Sequence, residues 1–428
     1  MYEPTGLSRD AASLIFNLPD YRVIAATDLP EGGRRVVVES TAPPGCPGCG
    51  VLASRVHSRR LQRLRDVPVA GAVELVWRKR RWFCDEPLCS RSTFAEFTEQ
   101  VPRQARVTAR LRQAVVAAVT RSGRAVSETA RAHAVSWWLV QAALTAAAVL
   151  LPEVDQLPVT RIGVDEHRYR SVRYFRTRTG GWRRFEPWMS TIVDLDTGQV
   201  LGVVDGRDSA PIDAWLASRT QAWRDRIEVV AIDPSAAFRK ALRQQLPHAA
   251  VSVDAFHLVK LANDALTAVR QRVTREQHGH RGRLQNASWA NRKLLLRAGD
   301  TLTEAALARL RRTFHHDDPT DELGAAWGVK EHVRMLLATG SLADAHEAKM
   351  RLGVAVLAAD MPETTRLFDT ICAWWEQIEV LIVTGATNAR TEAANTAIKH
   401  IKRTGRGFRN EHNYRSRILL TSAARIAA

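Results

Sequence analysis

The chain has 428 residues, 45% of them hydrophobic, and its 62 Lys and Arg against 45 Asp and Glu give a formal net charge of +17. That length supports two or three domains and a sizeable core, and that charge points to a polyanionic partner, of which nucleic acid is the commonest. Five cysteines in so long a chain do not make a secreted disulfide scaffold, and the most apolar stretch, near 140–151, is about a dozen residues and too short to span a bilayer.

The opening segment lacks a basic stretch followed by a long apolar run, so no signal peptide is expected and the protein reads as soluble and intracellular. Residues 1–40 contain one short alternating run, 35–39, that reads as a strand. Next come Cys46-Pro-Gly-Cys49 and, with 34 residues between, Cys84 and Cys89. Two turn-borne thiolate pairs converging on one ion make a tetrahedral Zn²⁺ site with no open position, and therefore a structural one. The second pair has four residues between its cysteines rather than two. A redox CxxC pair or buried free thiols would use the same residues differently. Cys372, alone in a helical region, reads as a small core residue.

The positive charge is uneven. Residues 51–130 hold 16 Lys and Arg against 7 Asp and Glu, a net of +9, and residues 396–428 hold 8 against 1, a net of +7. From 107 to 151 the periodicity is helical and Ala-rich, broken at 121–123. Within it, 127–144 fits two short helices joined by a tight turn at Ala134-Val135, where Gly is more usual. Ser127 is expected to cap the first helix, Ala130 to sit at the crossing, and Ser136 to cap the second. Trp137, Trp138 and Gln141 then fall near the start of a recognition helix, and Arg121, Arg124 and Arg131 are placed to hold phosphates. An ordinary helical hairpin with its aromatics in the core has the same pattern, and one of Trp137 and Trp138 is expected to be core in either case.

Strand-like runs follow at 161–164, 188–194, 200–204, 229–232 and 250–253, with a turn at Asp196-Thr197-Gly198 and helices expected at 210–219 and 236–246. Asp165 ends the first of these strands and Asp233 follows the fourth. Aspartates at the carboxyl ends of neighbouring strands converge, although each alone reads as a cap or turn residue. Asp254 and His257, after the last strand, are candidates for a supporting contact at the same centre; Glu166 and His167 rank lower. Residues 264–385 read as almost wholly helical, with a charged loop at 315–322. The stretch 388–409 is a helix on which Glu392, Asn395, Lys399 and Arg403 share a face. Asp165, Asp233 and Glu392 together suffice to hold two Mg²⁺ ions for in-line phosphoryl displacement.

Taken in order, the segments CPGCG, RRWFCDEPLCSRSTF, GVDEHRYR, VAIDPSAAFRKAL, VSVDAFHLVKLAND and NARTEAANTAIKHIKRTGRGFRN resemble the ISL3 family of insertion-sequence transposases over nearly the whole chain. Where the family commonly has Glu-Gly-x-Asn, this chain has Glu392-Ala-Ala-Asn395. The resemblance implies an α/β fold: an RNase H-like catalytic core with a large helical insertion, preceded by a zinc-ribbon-like module and a helix-turn-helix. The implied domains are 1–98 (zinc-binding), 99–155 (helix-turn-helix), 156–263 (core, first part), 264–385 (insertion) and 386–428 (core, catalytic helix). Asp165, Asp233 and Glu392 become its DDE triad with two Mg²⁺ or Mn²⁺, and Cys46, Cys49, Cys84 and Cys89 its zinc ligands.

The expected function is metal-dependent strand cleavage and transfer on double-stranded DNA, acting on terminal inverted repeats and target DNA. Lys399, Lys402 and Arg403 would neutralise flanking phosphates, and Asn395, Asp254 and His257 would support the metal ligands. A homodimer or larger assembly on DNA is expected, with Trp289, Trp327, Trp374 and Trp375 of the insertion either in its interface or in the helical core. The expected location is cytoplasmic, associated with a bacterial nucleoid. The rival reading is a sequence-specific DNA-binding regulator or a catalytically inactive derivative.

Overall fold

A computed structural model describes residues 10–427, so most of the opening segment weighed for a signal peptide lies outside the described residues. The chain divides into two compact units, one of residues 1–151 and 401–425 and the other centred on 152–400, with the boundary inside one helix. Among the described residues no single helix is long and apolar enough to cross a membrane.

The first unit opens with α1 (Ala11–Phe16) and a five-stranded sheet: β1 (Tyr21–Asp28), β2 (Arg34–Ser40), β3 (Val56–Leu64), β4 (Val73–Phe83) and β5 (Thr93–Ala95). Of these only β2 was legible as a strand, because β3 and β4 carry Arg and Lys at alternate and adjacent positions that mask their period. Leu75 and Trp77 of β4 pack with Val38 and Tyr21 in a small core. Three helices follow: α2 (Ala109–Thr120), α3 (Val126–Ala132) and α4 (Trp137–Val149). Thr108 caps α2 through the Leu111 N–H, and Leu111, Val115 and Val119 line its buried face.

The second unit holds the sheet that carries the acidic residues. Its strands are β6 (Arg161–Arg168), β9 (Trp188–Asp194), β10 (Val200–Asp205), β11 (Val229–Ile232) and β12 (Ala250–Val253); β7 (Arg173–Arg176) and β8 (Trp182–Phe185) form a separate, exposed hairpin between β6 and β9. The order across the sheet is β10-β9-β6-β11-β12. β6 pairs antiparallel with β9 and parallel with β11, which pairs parallel with β12. Numbered along the chain, this is the 3-2-1-4-5 order with the second strand reversed that defines an RNase H-like core. The β9–β10 turn falls where expected, with Gly198 at φ +80° donating its N–H to Asp194 O at 2.8 Å.

The helices around this sheet are α5 (Ser209–Ala217), α6 (Gln221–Asp225), α7 (Ala236–Gln245) and α8 (Ala255–His278). The insertion continues with α9 (Ala287–Ala290), α10 (Arg292–Leu295), α11 (Glu304–Asp317), α12 (Glu322–Leu337), α13 (Leu342–Ala359), α14 (Pro362–Ala373) and α15 (Trp375–Thr384). The expected charged loop at 315–322 is shorter than read, since His315 and His316 close the last turn of α11. The insertion is not a detached domain. Val230, Ile232 and Phe238 of the sheet layer share one core with Val329, Leu352 and Ile371 of the insertion. Trp374 belongs to that core, Trp375 packs on it, and Trp327 packs on a second cluster, so these tryptophans are spent on packing. Cys372 is exposed, against the expectation of a core residue, because the buried face of α14 is set by Leu367 and Ile371.

The chain closes with α16 (Ala389–Thr404) and α17 (Glu411–Ile426). Residues 386–428 read from sequence as one piece of the catalytic core, but α17 groups with the first unit, where Leu420 joins the cluster of Leu111, Val140 and Leu144. Arg417 donates there to the Arg124 carbonyl at 3.1 Å.

Candidate active site and DNA-binding modules

Asp165 does not end its strand. Pairing with β11 stops at Val164↔Ile232, but β6 runs on to Arg168 against β9, with Asp165 opposite Thr191. One edge of β6 is therefore released from the ladder just where the carboxylate begins. Because successive side chains alternate, His167 shares the Asp165 face and Glu166 takes the other. His167 is buried and its Nδ1 lies 2.9 Å from Thr191 Oγ1, which donates to Asn395 Oδ1 at 3.0 Å. Asn395 Nδ2 donates to Asp165 Oδ2 at 2.6 Å, completing a chain from strand to helix. His167, ranked low from sequence, is part of this support.

The helix α16 is seated by a gap in β6. A Cβ at Gly163 would stand 2.1 Å from Thr391 Oγ1 and 2.7 Å from Asn388 Oδ1, so only glycine admits the first turn of α16 at that distance. Asn388, whose carbonyl accepts the first helical N–H from Glu392, is wholly buried. Its Nδ2 donates to Val164 O and to Asp233 Oδ1, both at 3.2 Å, and its backbone N–H donates to Asp254 Oδ1 at 3.2 Å. Asn388, Glu392 and Asn395 lie at i, i+4 and i+7, on one helix face. One amide of that face reaches Asp233, the other reaches Asp165, and Glu392 stands between them in sequence. Sequence reasoning gave Asn388 no role; the signal was an Asn immediately before the helix, a cap residue whose carboxamide is turned to the strands instead.

Asp254 caps α8 through the His257 N–H at 3.2 Å. His257 then bridges two carboxylates, Nδ1 at 3.1 Å from Asp254 Oδ2 and Nε2 at 3.0 Å from Asp233 Oδ2. Among the described residues Asp233, Asp254 and His257 form the acidic group whose ligand atoms all lie within 4.8 Å of one another, and Asp165 and Glu392 stand outside it. The electrostatics nevertheless tie all five together. Burial, then the charge of Asp165, pushes the Asp233 carboxyl up to about 7. Burial, then Asp254 and Asp165, raises Glu392. The hydrogen bond to Asp254 raises His257, and Asp254, despite its burial, is held below the usual range by His257 and the Asn388 N–H. Crowded carboxylates held up by one another's charge are a site that a divalent cation would relieve.

Lys399, exposed on α16, is close enough to favour the charged form of Glu392. Lys402 and Arg403 fall in the last turn of the helix and group with the first unit.

In the first unit the four cysteines converge, with Cys46 Sγ 3.9 Å from Cys89 Sγ and Cys49 Sγ 3.5 Å from Cys84 Sγ. Zn–S bonds of about 2.3 Å in a tetrahedron separate sulfurs by about 3.8 Å, so the cluster has the size of a four-thiolate zinc site. The Gly48 N–H pointing at Sγ, before any other cause, lowers the Cys46 thiol to about 6, whereas burial and the neighbouring thiols raise Cys49 and Cys84, as expected of four sulfurs sharing one site. Asp85 accepts from the Ser54 N–H at 2.7 Å and ties the two knuckles together.

The helices α3 and α4 meet at a bend of 116°. Ala134 occupies the turn at φ +49°, and Ser136 caps α4 through the Leu139 N–H at 3.2 Å. Ala130 is buried at the crossing, as its size requires. Ser127 is not the cap of α3, which begins one residue earlier at Val126 behind Ala125. Nor is either tryptophan core: Trp137 is 38% and Trp138 76% exposed, edge to face with each other, because Val140, Ala143 and Leu144 supply the buried face of α4. Arg121, Arg124 and Arg131 are exposed and Gln141 is half-buried.

These parts agree with known proteins. Residues 162–418 match a family described as Transposase. Residues 42–89 match the zinc-finger of transposase IS204/IS1001/IS1096/IS1165, and residues 96–148 the helix-turn-helix domain of transposase family ISL3. The transposase for insertion sequence element IS1001 of Bordetella parapertussis is 26% identical over 297 residues, 66% of this chain and 67% of that protein. Among solved structures, the Drosophila P element transposase strand transfer complex is similar at 10% identity and a TM-score of 0.39, covering 77% of this chain and 92% of that one. With a transposase match over residues 162–418 of its 428, and the zinc-finger and helix-turn-helix matches in front of it, the chain belongs to the ISL3 family of transposases.

Proposed function

We propose that this transposase binds the terminal inverted repeats of an insertion sequence, cuts the DNA strands at their ends and joins the freed 3′ ends to target DNA, with Asp165, Asp233 and Glu392 as the catalytic carboxylates. One observation carries the assignment. The helix face that bears Glu392 also bears the two amides that hold the aspartates, Asn388 on Asp233 and Asn395 on Asp165. A solvated basic helix has no need of such ties. The three carboxylates would hold Mg²⁺ or Mn²⁺, which when bound supplies charge neutralisation at the phosphodiester and lowers the pKa of attacking water.

The protein's own contribution is positioning. Asn388 orients the Asp233 carboxylate by one hydrogen bond while its second anchors to the Val164 carbonyl, so that the residue spans two strands. His257 holds Asp233 Oδ2 from the other side, and Asp254 sets the tilt of His257 and favours its protonated form. Lys399 stands where it would meet a phosphate flanking the reacting one. Arg121, Arg124 and Arg131 would grip the repeat's backbone, while Ser136, Trp137 and Gln141 at the start of α4 would face its bases. Two ends must be held together for the joining step, so we assign the working form to a dimer or larger assembly on DNA.

The test is cleavage of a terminal-repeat duplex with Mg²⁺ or Mn²⁺, with protease treatment to reveal any covalent adduct. Nicking by the parent, no protein–DNA adduct, and loss of nicking with retained binding in Glu392→Gln are expected. A Glu392→Gln protein that cuts as well as the parent removes the triad, and a parent that binds and never cuts supports a regulator instead.

A further inference from the structure

The zinc-bearing sheet carries a charge pattern that neither the metal site nor the helix-turn-helix uses. β3 and β4 pair antiparallel with Arg59 opposite Arg80 and Arg60 opposite Lys79. Like charges directly opposite each other weaken a ladder, and here two such pairs stand in succession. Successive pairs point to opposite faces of the sheet; both members of the Arg60–Lys79 pair line a groove of about 1230 Å³ whose other wall is the segment around 103–106, and Arg59 lies outside it. Eight Arg and Lys side chains line it against one carboxylate, Glu96. That carboxylate is already taken by Arg80 at 3.1 Å and by the Trp82 indole N–H at 3.1 Å. Arg63 is answered by Glu74 at 2.9 Å, outside the groove. Among the described residues the other six cations, Arg60, Lys79, Arg81, Arg91, Arg103 and Arg106, have no carboxylate partner.

Lys79 is the most telling of the six. It is only 5% exposed, its Nζ lies 4.3 Å from the centroid of the Trp77 ring, and Arg60 faces it across the ladder. Burial, then Arg60, lowers its pKa. The only carboxylate in the lining, Glu96, acts on Lys79 at a distance but is bonded to Arg80 and Trp82; a nearly buried ammonium so weakly countered is costly, and an anion in the groove would offset that cost. Phe94, the aromatic ring in the lining, is buried at 4% exposure, so the groove offers no platform on which an unpaired base would stack.

We infer that this groove is a second DNA site, one that seats backbone phosphates of duplex DNA without reading sequence and is separate from the base-facing start of α4. The inference deepens the DNA-binding role of the first unit and rests on it. The backbone N–H of Arg91 points at Cys89 Sγ at 3.5 Å, so the zinc knuckle holds one end of the phosphate track in place.

The test compares the parent, Arg60→Gln/Lys79→Gln and Gln141→Ala on a terminal-repeat duplex and on a scrambled duplex of equal length, across a salt series. The double variant loses affinity about equally on both duplexes, by roughly ten-fold or more, and its log–log salt slope falls by about two. Gln141→Ala loses affinity on the repeat and not on the scrambled duplex. Arg60→Lys/Lys79→Arg, which keeps the charges, restores binding, and zinc content is unchanged in every variant. Parental affinity and slope in Arg60→Gln/Lys79→Gln overturn the groove, as does a loss confined to the repeat duplex. A parent that binds neither duplex takes the DNA-binding reading down with it, a result distinct from either.

Discussion

The acidic centre of the RNase H-like unit and the basic face of the zinc-bearing unit are the same physical device with opposite sign. In the first, Asp165, Asp233, Asp254 and Glu392 are crowded until burial and mutual repulsion lift the carboxyls of Asp233 and Glu392. In the second, Arg59, Arg60, Lys79 and Arg80 face one another across a ladder. Each arrangement costs folding energy and each would be relieved by a ligand of the other charge, a cation in the proposed catalytic site and a polyanion in the proposed groove. They differ in rigidity. The acidic centre is laced by amides and an imidazole, with Asn388, Asn395 and His257 each bound to a named carboxylate. The basic groove is laced only in part, with Arg80 held by Glu96 and Ser40 and Arg81 by Thr93, while Arg60, Arg91 and Arg106 have no carboxylate partner among the described residues. That would suit the tasks proposed for them: a metal demands fixed oxygens, whereas a helical backbone of repeating phosphates tolerates long, adaptable cations.

The sharpest way to break this contrast is to remove a carboxylate. Glu392→Gln or Asp233→Asn should lower repeat-end cleavage on the order of 10³-fold, while filter binding to the same duplex stays near the parental value. Next in size is the zinc knuckle. Cys84→Ser should abolish stoichiometric zinc and with it repeat binding, because Asp85 and Cys89 lose the partner knuckle they brace. Metal analysis and gel shift check this, and a zinc-free variant that still binds would show the cluster to be dispensable.

Asn388→Ala should reduce cleavage about 10- to 100-fold with DNA affinity intact, the size seen when an outer support of a metal ligand is lost; parental kinetics would make Asn388 a mere cap. A Cβ at Gly163 meets Thr391 and Asn388, so Gly163→Ala should cost about 1–3 kcal/mol, seen in thermal unfolding of the second unit, and slow cleavage by displacing α16. The smallest effect is the pH dependence. Asp233 binds its proton more tightly folded than unfolded, so with metal chelated, stability falls as pH rises from about 4 to about 7. The raised value of His257 acts in the same direction, its contribution present at low pH and lost as pH climbs through it. Melting curves in chelator should show the decline, Asp233→Asn should flatten it, and added Mg²⁺ should oppose it.

Much of this was legible in the chain because its signals are local. Cys46, Cys49, Cys84 and Cys89 announce themselves by type and spacing. The five strands of the acidic sheet read as short apolar runs because both faces of a largely parallel sheet are buried. β3 and β4 did not, since their alternation is broken by the cations that make the groove. Asn388 was given no role and His167 a low rank for another reason: an Asn before a helix and a His on a strand acquire meaning only from partners 155 and 24 residues away. Trp137 and Trp138 were expected to divide between core and surface, and both proved exposed because small residues on α4 already fill its buried face.

Residue type and spacing along the chain thus supplied the cysteine cluster, the positions of the five strands, the candidate carboxylates and the basic charge, all properties carried by near neighbours or by simple sums. Which carboxylate meets which amide, how far β6 continues past its parallel partner, and where α17 packs came from the folded chain alone. Those depend on side chains brought together across hundreds of residues, where a single missing Cβ at Gly163 determines whether the helix bearing Glu392 can approach Asp165 and Asp233 at all.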